Sequence, residues 1–241
     1  MPLPTIATPT YELELPSSGK KIKYRPFLVK EEKLLVLALE SEDIKEISTA
    51  IKAVLKSCIL SRAVKVDQLP TFDIEFLFLN IRGKSVGEEI EVNIVCPDDE
   101  ETTVPVVINI DDIKVQKHKG HNKRIALDDN LMMELKYPSL NEFIQSNFDF
   151  EEKSQLENSF EMIAQCIDKI YNQEEVWSTA DCTKKEVKDF LESMNSSQFK
   201  EIENFFDTMP KISHSIEVVN PKTKVKSTVV LEGLSSFFGS L

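Results

Sequence analysis

The stretch Lys23-Tyr24-Arg25-Pro26-Phe27-Leu28 closes one segment of alternating polar and apolar residues and opens a helical one, and Lys136-Tyr137-Pro138-Ser139-Leu140 does the same much later. The echo continues in order. Phe72, Phe78, Leu79 and Lys84 lead into Ile90-Glu91-Val92 and a turn at Pro97; Phe199, Phe205, Phe206 and Lys211 lead into Ile216-Glu217-Val218 and a turn at Pro221. Ordered echoes predict an α+β fold of two similar halves, each a strand hairpin, helices and a second hairpin, related by internal duplication. Chance similarity of short motifs is the competing reading. The expected boundaries are residues 1–110 for the first half, 111–123 for a polar linker, and 124–241 for the second half with an extra helix and an aromatic tail.

Working outward from the first echo, Thr10 to Leu15 alternates with the period of a half-buried strand, Pro16-Ser17-Ser18-Gly19 turns, and Lys21 to Phe27 returns. Ile44, Ile47, Ile51, Val54 and Cys58 step by three and four and predict one helix face. Leu34 to Leu39 reads as a more fully buried helical turn or two. Pro70-Thr71 opens a third helix that Gly83 is expected to stop. Glu89 to Cys96 and Thr103 to Ile110 form a long hairpin with an acidic, solvated tip, and Pro105 marks an edge.

In the second half, Ile125 to Tyr137 predicts a hairpin, and Leu156, Phe160, Ile163, Ile167 and Ile170 an amphipathic helix. Thr183-Lys184-Lys185-Glu186 has the spacing of a capping box. A helix bearing Phe199, Ile202, Phe205 and Phe206 ends at Pro210, and a hairpin follows from His214 to Leu231 about Asn220-Pro221. Leu234, Phe237, Phe238 and Leu241 keep helical spacing at the end. Two readings of that tail stand side by side: it caps the protein's own core, or it docks on a neighbouring subunit.

Composition narrows the function. A formal net charge of −12 argues against nucleic-acid binding, which needs concentrated Lys and Arg. It suits a protein whose partners are other proteins, and equally one that is acidic for solubility alone. Four scattered cysteines without a CxxC, together with a start at Met1-Pro2-Leu3-Pro4 that has no basic n-region or apolar h-region, predict synthesis in a reducing cytoplasm. No apolar run is long enough to insert in a membrane.

Catalytic chemistry is missing. His118, His121 and His214 stand beside no nucleophile, and no GxSxG, HExxH or P-loop occurs. The Asp98-Asp99-Glu100-Glu101 cluster lacks a calcium-loop framework, and two histidines do not complete a metal site. The expectation is no enzyme, no cofactor and no metal.

The opening to Leu13, the Lys21 to Lys33 block, Leu69-Pro70-Thr71-Phe72-Asp73-Ile74-Glu75-Phe76, Ile81 to Glu88, Cys96-Pro97-Asp98-Asp99 and the Leu231 to Gly239 ending resemble the baseplate hub subunit family of T-even-like contractile-tailed bacteriophages, cyanophage relatives included. The resemblance covers most of the chain, most specifically in the first half. It implies a non-enzymatic virion protein of the tail baseplate hub, binding hub, tape-measure or wedge proteins within a symmetric oligomeric assembly. Members of that family often carry paired cysteines at the final hairpin turn, suggesting a metal clip. Asn220-Pro221-Lys222-Thr223 stands there in this chain, so no metal is carried over. Two alternatives stay open: an assembly chaperone that leaves before the virion matures, and a cell-wall hydrolase domain of the hub. The expected partner contacts are Tyr24, Arg25, Pro26, Phe27 and Leu28 at the first turn, and Phe237, Phe238 and Leu241 in the tail. Hairpin edges near Pro105 and Val225 are further places for a partner strand to pair.

Overall fold

A computed structural model describes residues 6–41, 43–140 and 155–237. The fold is α+β, and the chain divides into two compact units: residues 1–116 with 211–241, and residues 117–210.

The first unit opens with β1 (Tyr11–Glu14) and β2 (Lys21–Tyr24), paired antiparallel with Leu13 opposite Ile22. Gly19, at φ 68°, supplies the left-handed residue of the connecting turn. That turn is anchored from below by Asp73, a fully buried carboxylate that accepts the Ser17 amide at 2.9 Å and the Ser17 hydroxyl. Three helices follow: α1 (Val29–Glu40), α2 (Ile44–Cys58), capped by the Asp43 carboxylate, and α3 (Thr71–Val86). The helix α3 passes through Gly83 and ends at Gly87, whose φ of 124° few other residues tolerate. Gly83 is instead a close-approach position, where an added Cβ would lie 3.1 Å from Ile110 Cδ1. Strands β3 (Glu89–Val95) and β4 (Thr103–Asn109) form the long hairpin, its inward face set by Ile90, Val92 and Ile94.

The expected linker is partly a strand. β5 (Lys114–Gln116) pairs with β10 (Lys211–Val219), which pairs in turn with β11 (Lys226–Glu232). The final hairpin therefore belongs to the first unit: the chain leaves that unit after Gln116, inside residues 111–123, and returns to it after Pro210.

The second unit is a four-stranded antiparallel sheet, β6 (Arg124–Ala126), β7 (Met132–Leu135), β8 (Ile167–Tyr171) and β9 (Val176–Ser178), with α4 (Gln155–Cys166), α5 (Lys184–Glu192) and α6 (Ser196–Thr208). Its core gathers Met133, Leu135, Ile163, Ile167, Leu191, Ile202 and Phe205. Ile167 and Ile170 are strand residues here. The helix stops at Cys166 because Ile167 and Ile170 pair with Leu135 and Met133 of β7, a non-local gain that outweighs continued helical spacing.

Two local patterns recur along the chain. After α2, the Arg25 amide donates to the Cys58 carbonyl at 3.0 Å, and after α4 the Lys136 amide donates to that of Cys166 at 2.8 Å, both cysteines being fully buried. This correspondence lies two residues from the Lys23/Lys136 alignment the sequence suggests. The turns at 96–100 and 220–224 also match. In each, the fifth residue's amide donates to the first residue's carbonyl, with Glu100 at φ 55° and Lys224 at φ 64°.

The acidic tip is a clasp. Asn220, fully buried, donates through Nδ2 to both Asp98 oxygens at 3.1 Å, and its Oδ1 accepts the Lys222 amide at 2.8 Å. Thr223 Oγ1 also donates to Asp98. Asp99 accepts from the Thr102 hydroxyl and amide, which, with Asn220, hold its carboxyl well below the usual carboxylate range.

Candidate interaction surface

The turn from β2 into α1 is fixed from both sides. The Leu60 amide donates to the Lys23 carbonyl at 2.8 Å and Tyr24 bridges Ile59, so the residues after α2 extend the β2 edge. Tyr24 is buried against Tyr11, ring centroids 5.8 Å apart, and burial raises its pKa. Pro26 is buried as well.

The centre of this turn is Glu31, 5% exposed. It accepts from Arg25 Nη2 at 2.9 Å, from Ser57 Oγ at 2.7 Å and, reaching back across the start of α1, from the Leu28 amide at 2.8 Å. Burial pushes its carboxyl upward, but the hydrogen bonds from Arg25, Ser57 and Leu28 and the guanidinium charge outweigh it and hold the pKa at about 2. Arg25 also donates to the Pro26 carbonyl at 2.8 Å and to Ser57 at 2.9 Å. The Phe27 amide is taken by Ser85 Oγ at 2.9 Å. Held this way, the turn leaves Leu28 and Val29 outside, 42% and 79% exposed.

The helix that follows is not fully buried: Leu35 and Ala38 face inward, whereas Leu34, Val36 and Leu37 are 41–54% exposed. Its run of apolar residues is continuous instead of periodic, so one helix cannot turn all of them to a single core face. Phe27, Val36, Val86 and Arg82 border a crevice of about 70 Å3. Arg82 Nε and Nη1 are buried there without a hydrogen-bond partner, and burial lowers the pKa of this guanidinium. An unpaired buried donor costs about 1–3 kcal/mol until something accepts from it. Phe27, Val36 and Val86 give the crevice apolar walls beside that arginine, and Glu32 brings a carboxylate to the same lining. Spacing along the sequence gives no signal for Arg82; only the fold brings it beside Phe27 and Val36.

Of the tail contacts, Phe237 is 2% exposed, in the short helical turn Leu234–Phe237 that follows β11. Phe238 and Leu241 lie outside the described residues. In the second unit, a cleft of about 430 Å3 is lined by Phe160, Ala164 and Val187 together with Lys136, Lys184 and Lys188. None of the three histidines lines it. His121 instead stacks on Tyr137 and packs tilted against Phe205, and its Nδ1 lies 3.0 Å from Thr208 Oγ1. Burial lowers its pKa, with Lys123 and His118 adding repulsion. Among the described residues no three His, Cys, Asp or Glu side chains stand close enough to share a metal, and no helix is long and apolar enough to cross a membrane.

The family model described as T4 bacteriophage base plate protein matches residues 8–239. No curated protein and no solved structure matches the chain.

Proposed function

Because the chain belongs to the T4 bacteriophage base plate protein family, we propose that it is a resident part of the baseplate hub, binding hub, tape-measure or wedge proteins as the tail assembles. Membership makes it a structural protein of the phage baseplate. The family match along nearly the whole chain carries the baseplate role, and the resemblance of the Lys21 to Lys33, Leu69 to Phe76 and Ile81 to Glu88 stretches to hub subunits supports the hub assignment. The role is non-enzymatic, carried out in the virion tail after synthesis in the host cytoplasm.

The contact surface we assign to that role is the crevice of Phe27, Val36, Arg82 and Val86 with the adjoining Leu28 and Val29. Its occupant is a tail-protein segment presenting a carboxylate among aliphatic side chains. In this reading Tyr24, Arg25 and Pro26 act by holding the turn that displays Leu28, and Phe237 by closing the core beneath the final hairpin. The carboxylate would satisfy the Arg82 donors, converting an unpaired group in the free protein into a charge-assisted bond in the assembly.

Sedimentation tests the hub assignment. In a phage whose wedge assembly is blocked, the protein is expected to travel with hub complexes, and Arg82→Ala is expected to weaken that association with an unchanged circular dichroism spectrum. Recovery with wedge complexes alone would overturn the hub reading.

A further inference from the structure

The strand β11 is the outer strand of its sheet, and its backbone faces two ways. Asn220 N donates to Val225 O at 3.0 Å and Gly233 N to Ile212 O at 3.1 Å. Bonded pairs recur at every second residue of an antiparallel hairpin. Ser227, Val229 and Leu231 therefore bond to β10, opposite Val218, Ile216 and His214. Lys226, Thr228, Val230 and Glu232 point their N–H and C=O groups away from it. No strand pairs with that side among the described residues, and Ser236 Oγ donates to the Glu232 carbonyl at 2.6 Å.

Sheet edges of this kind invite pairing unless something blocks them. The edge of β4 is blocked. With Ile110 N bonded to Glu88 O and Cys96 N to Thr102 O, its outward positions are Thr103, Pro105, Val107 and Asn109, and Pro105 removes a donor from the middle. The edge of β11 has no proline, no glycine and no break in register, and Val230 on it is 52% exposed.

The sequence of β11 is complementary to itself. Laid antiparallel against a copy and centred on Val229, it sets Lys226 opposite Glu232, Ser227 opposite Leu231 and Thr228 opposite Val230. In that register every outward backbone group meets an outward one. Centring on Thr228 or Val230 also matches the backbone, but neither sets Lys226 opposite an acidic residue within the strand. The charges already form a row in one copy, with Lys226 at 2.6 Å from Glu217 and Lys211 at 2.8 Å from Glu232. Across the junction the row would read Glu217, Lys226, then Glu232 and Lys211 of the second copy, alternating in sign throughout.

We propose that two copies of this protein pair edge to edge through β11, antiparallel about a two-fold axis at Val229. This self-association does not depend on the hub assignment.

Cysteine crosslinking of the full chain tests it, in a Cys182→Ser background that removes the exposed thiol. Val229 is a non-hydrogen-bonded pair with itself, where Cα atoms approach to about 4.5 Å, within reach of a disulfide. Val229→Cys is expected to give mostly dimer under mild oxidation, and Thr228→Cys and Val230→Cys, each facing the other position, at least fivefold less. Lys226→Glu and Glu232→Lys should each weaken dimerisation in analytical ultracentrifugation by about tenfold, and the double reversal should restore it. Crosslinking strongest at 228 or 230 would overturn the register. A monomer at every concentration, with no Val229→Cys crosslink, would overturn the dimer, as would a Val229→Cys variant that captures only a different tail protein.

Discussion

Replacing Glu31 by alanine is expected to destabilise the first unit by about 3–5 kcal/mol, because it leaves a partly buried guanidinium, the Ser57 hydroxyl and the Leu28 amide without their shared acceptor. Glu31→Gln keeps the shape and one acceptor oxygen, and should cost less. The same carboxylate sets an acid sensitivity. Its folded pKa of about 2 lies below the ordinary 4.5, so its contribution is present above pH 4.5 and is lost as pH falls toward 2. The size of that contribution is roughly 3 kcal/mol. Urea unfolding followed by far-UV circular dichroism should show the wild type losing stability between pH 5 and pH 2.5 more steeply than Glu31→Gln. Equal slopes for the two would mean that Glu31 is not the ionised centre of the turn.

Phe205→Ala is expected to cost about 3–5 kcal/mol in the second unit, the range for removing a buried phenylalanine. Phe205 is 1% exposed and packs against Tyr137 at 5.7 Å, His121 at 5.1 Å and Phe206 at 5.2 Å between ring centroids. Those three rings would line the cavity left behind, and rings clamped by their neighbours collapse poorly into it. Trp177, the only tryptophan, sits on β9 of the same unit and reports its unfolding. For a unit of this size each kcal/mol lowers the midpoint by roughly 4–8 °C, so the Trp177 fluorescence transition should fall by more than 10 °C. A shift of 2 °C or less would show that the aromatic cluster is not the core of this unit.

The parts legible in the sequence are those whose causes are local. Thr183 and Glu186 form the capping box their spacing promises, Thr183 N donating to Glu186 Oε2 at 2.7 Å and Glu186 N to Thr183 Oγ1 at 3.2 Å. Alternation locates the hairpins 11–24, 89–109 and 211–232 for the same reason, since a strand with one buried face writes its period into its own residues. The misses are non-local. Ile163, Ile167 and Ile170 are spaced for a helix face, and only pairing with β7 assigns the last two to a strand. Val176 to Ser178 carries three residues, too few to show a period. Asp98 and Asn220 meet across 122 positions of sequence, so the acidic tip reads as solvated until the fold brings its partner. The proposed contact surface divides in the same way. The conspicuous aromatic and proline of the first turn, Tyr24 and Pro26, face inward, whereas Arg82 carries the unpaired charge in a helix that sequence periodicity marks only as core.

Two local patterns recur, the bonds to the Cys58 and Cys166 carbonyls and the matched turns at 96–100 and 220–224, and both of those turns lie in the first unit. The α3 and α6 aromatic helices precede the corresponding hairpins in the same order.

The most direct measurement is quantitative mass spectrometry of purified phage particles, comparing peptides of this protein with those of the hub and sheath subunits. A resident hub part predicts a fixed, low copy number per tail that survives stringent purification. Abundance in infected lysate with none in the particles would contradict that account and make the protein an assembly factor that departs before the virion is complete.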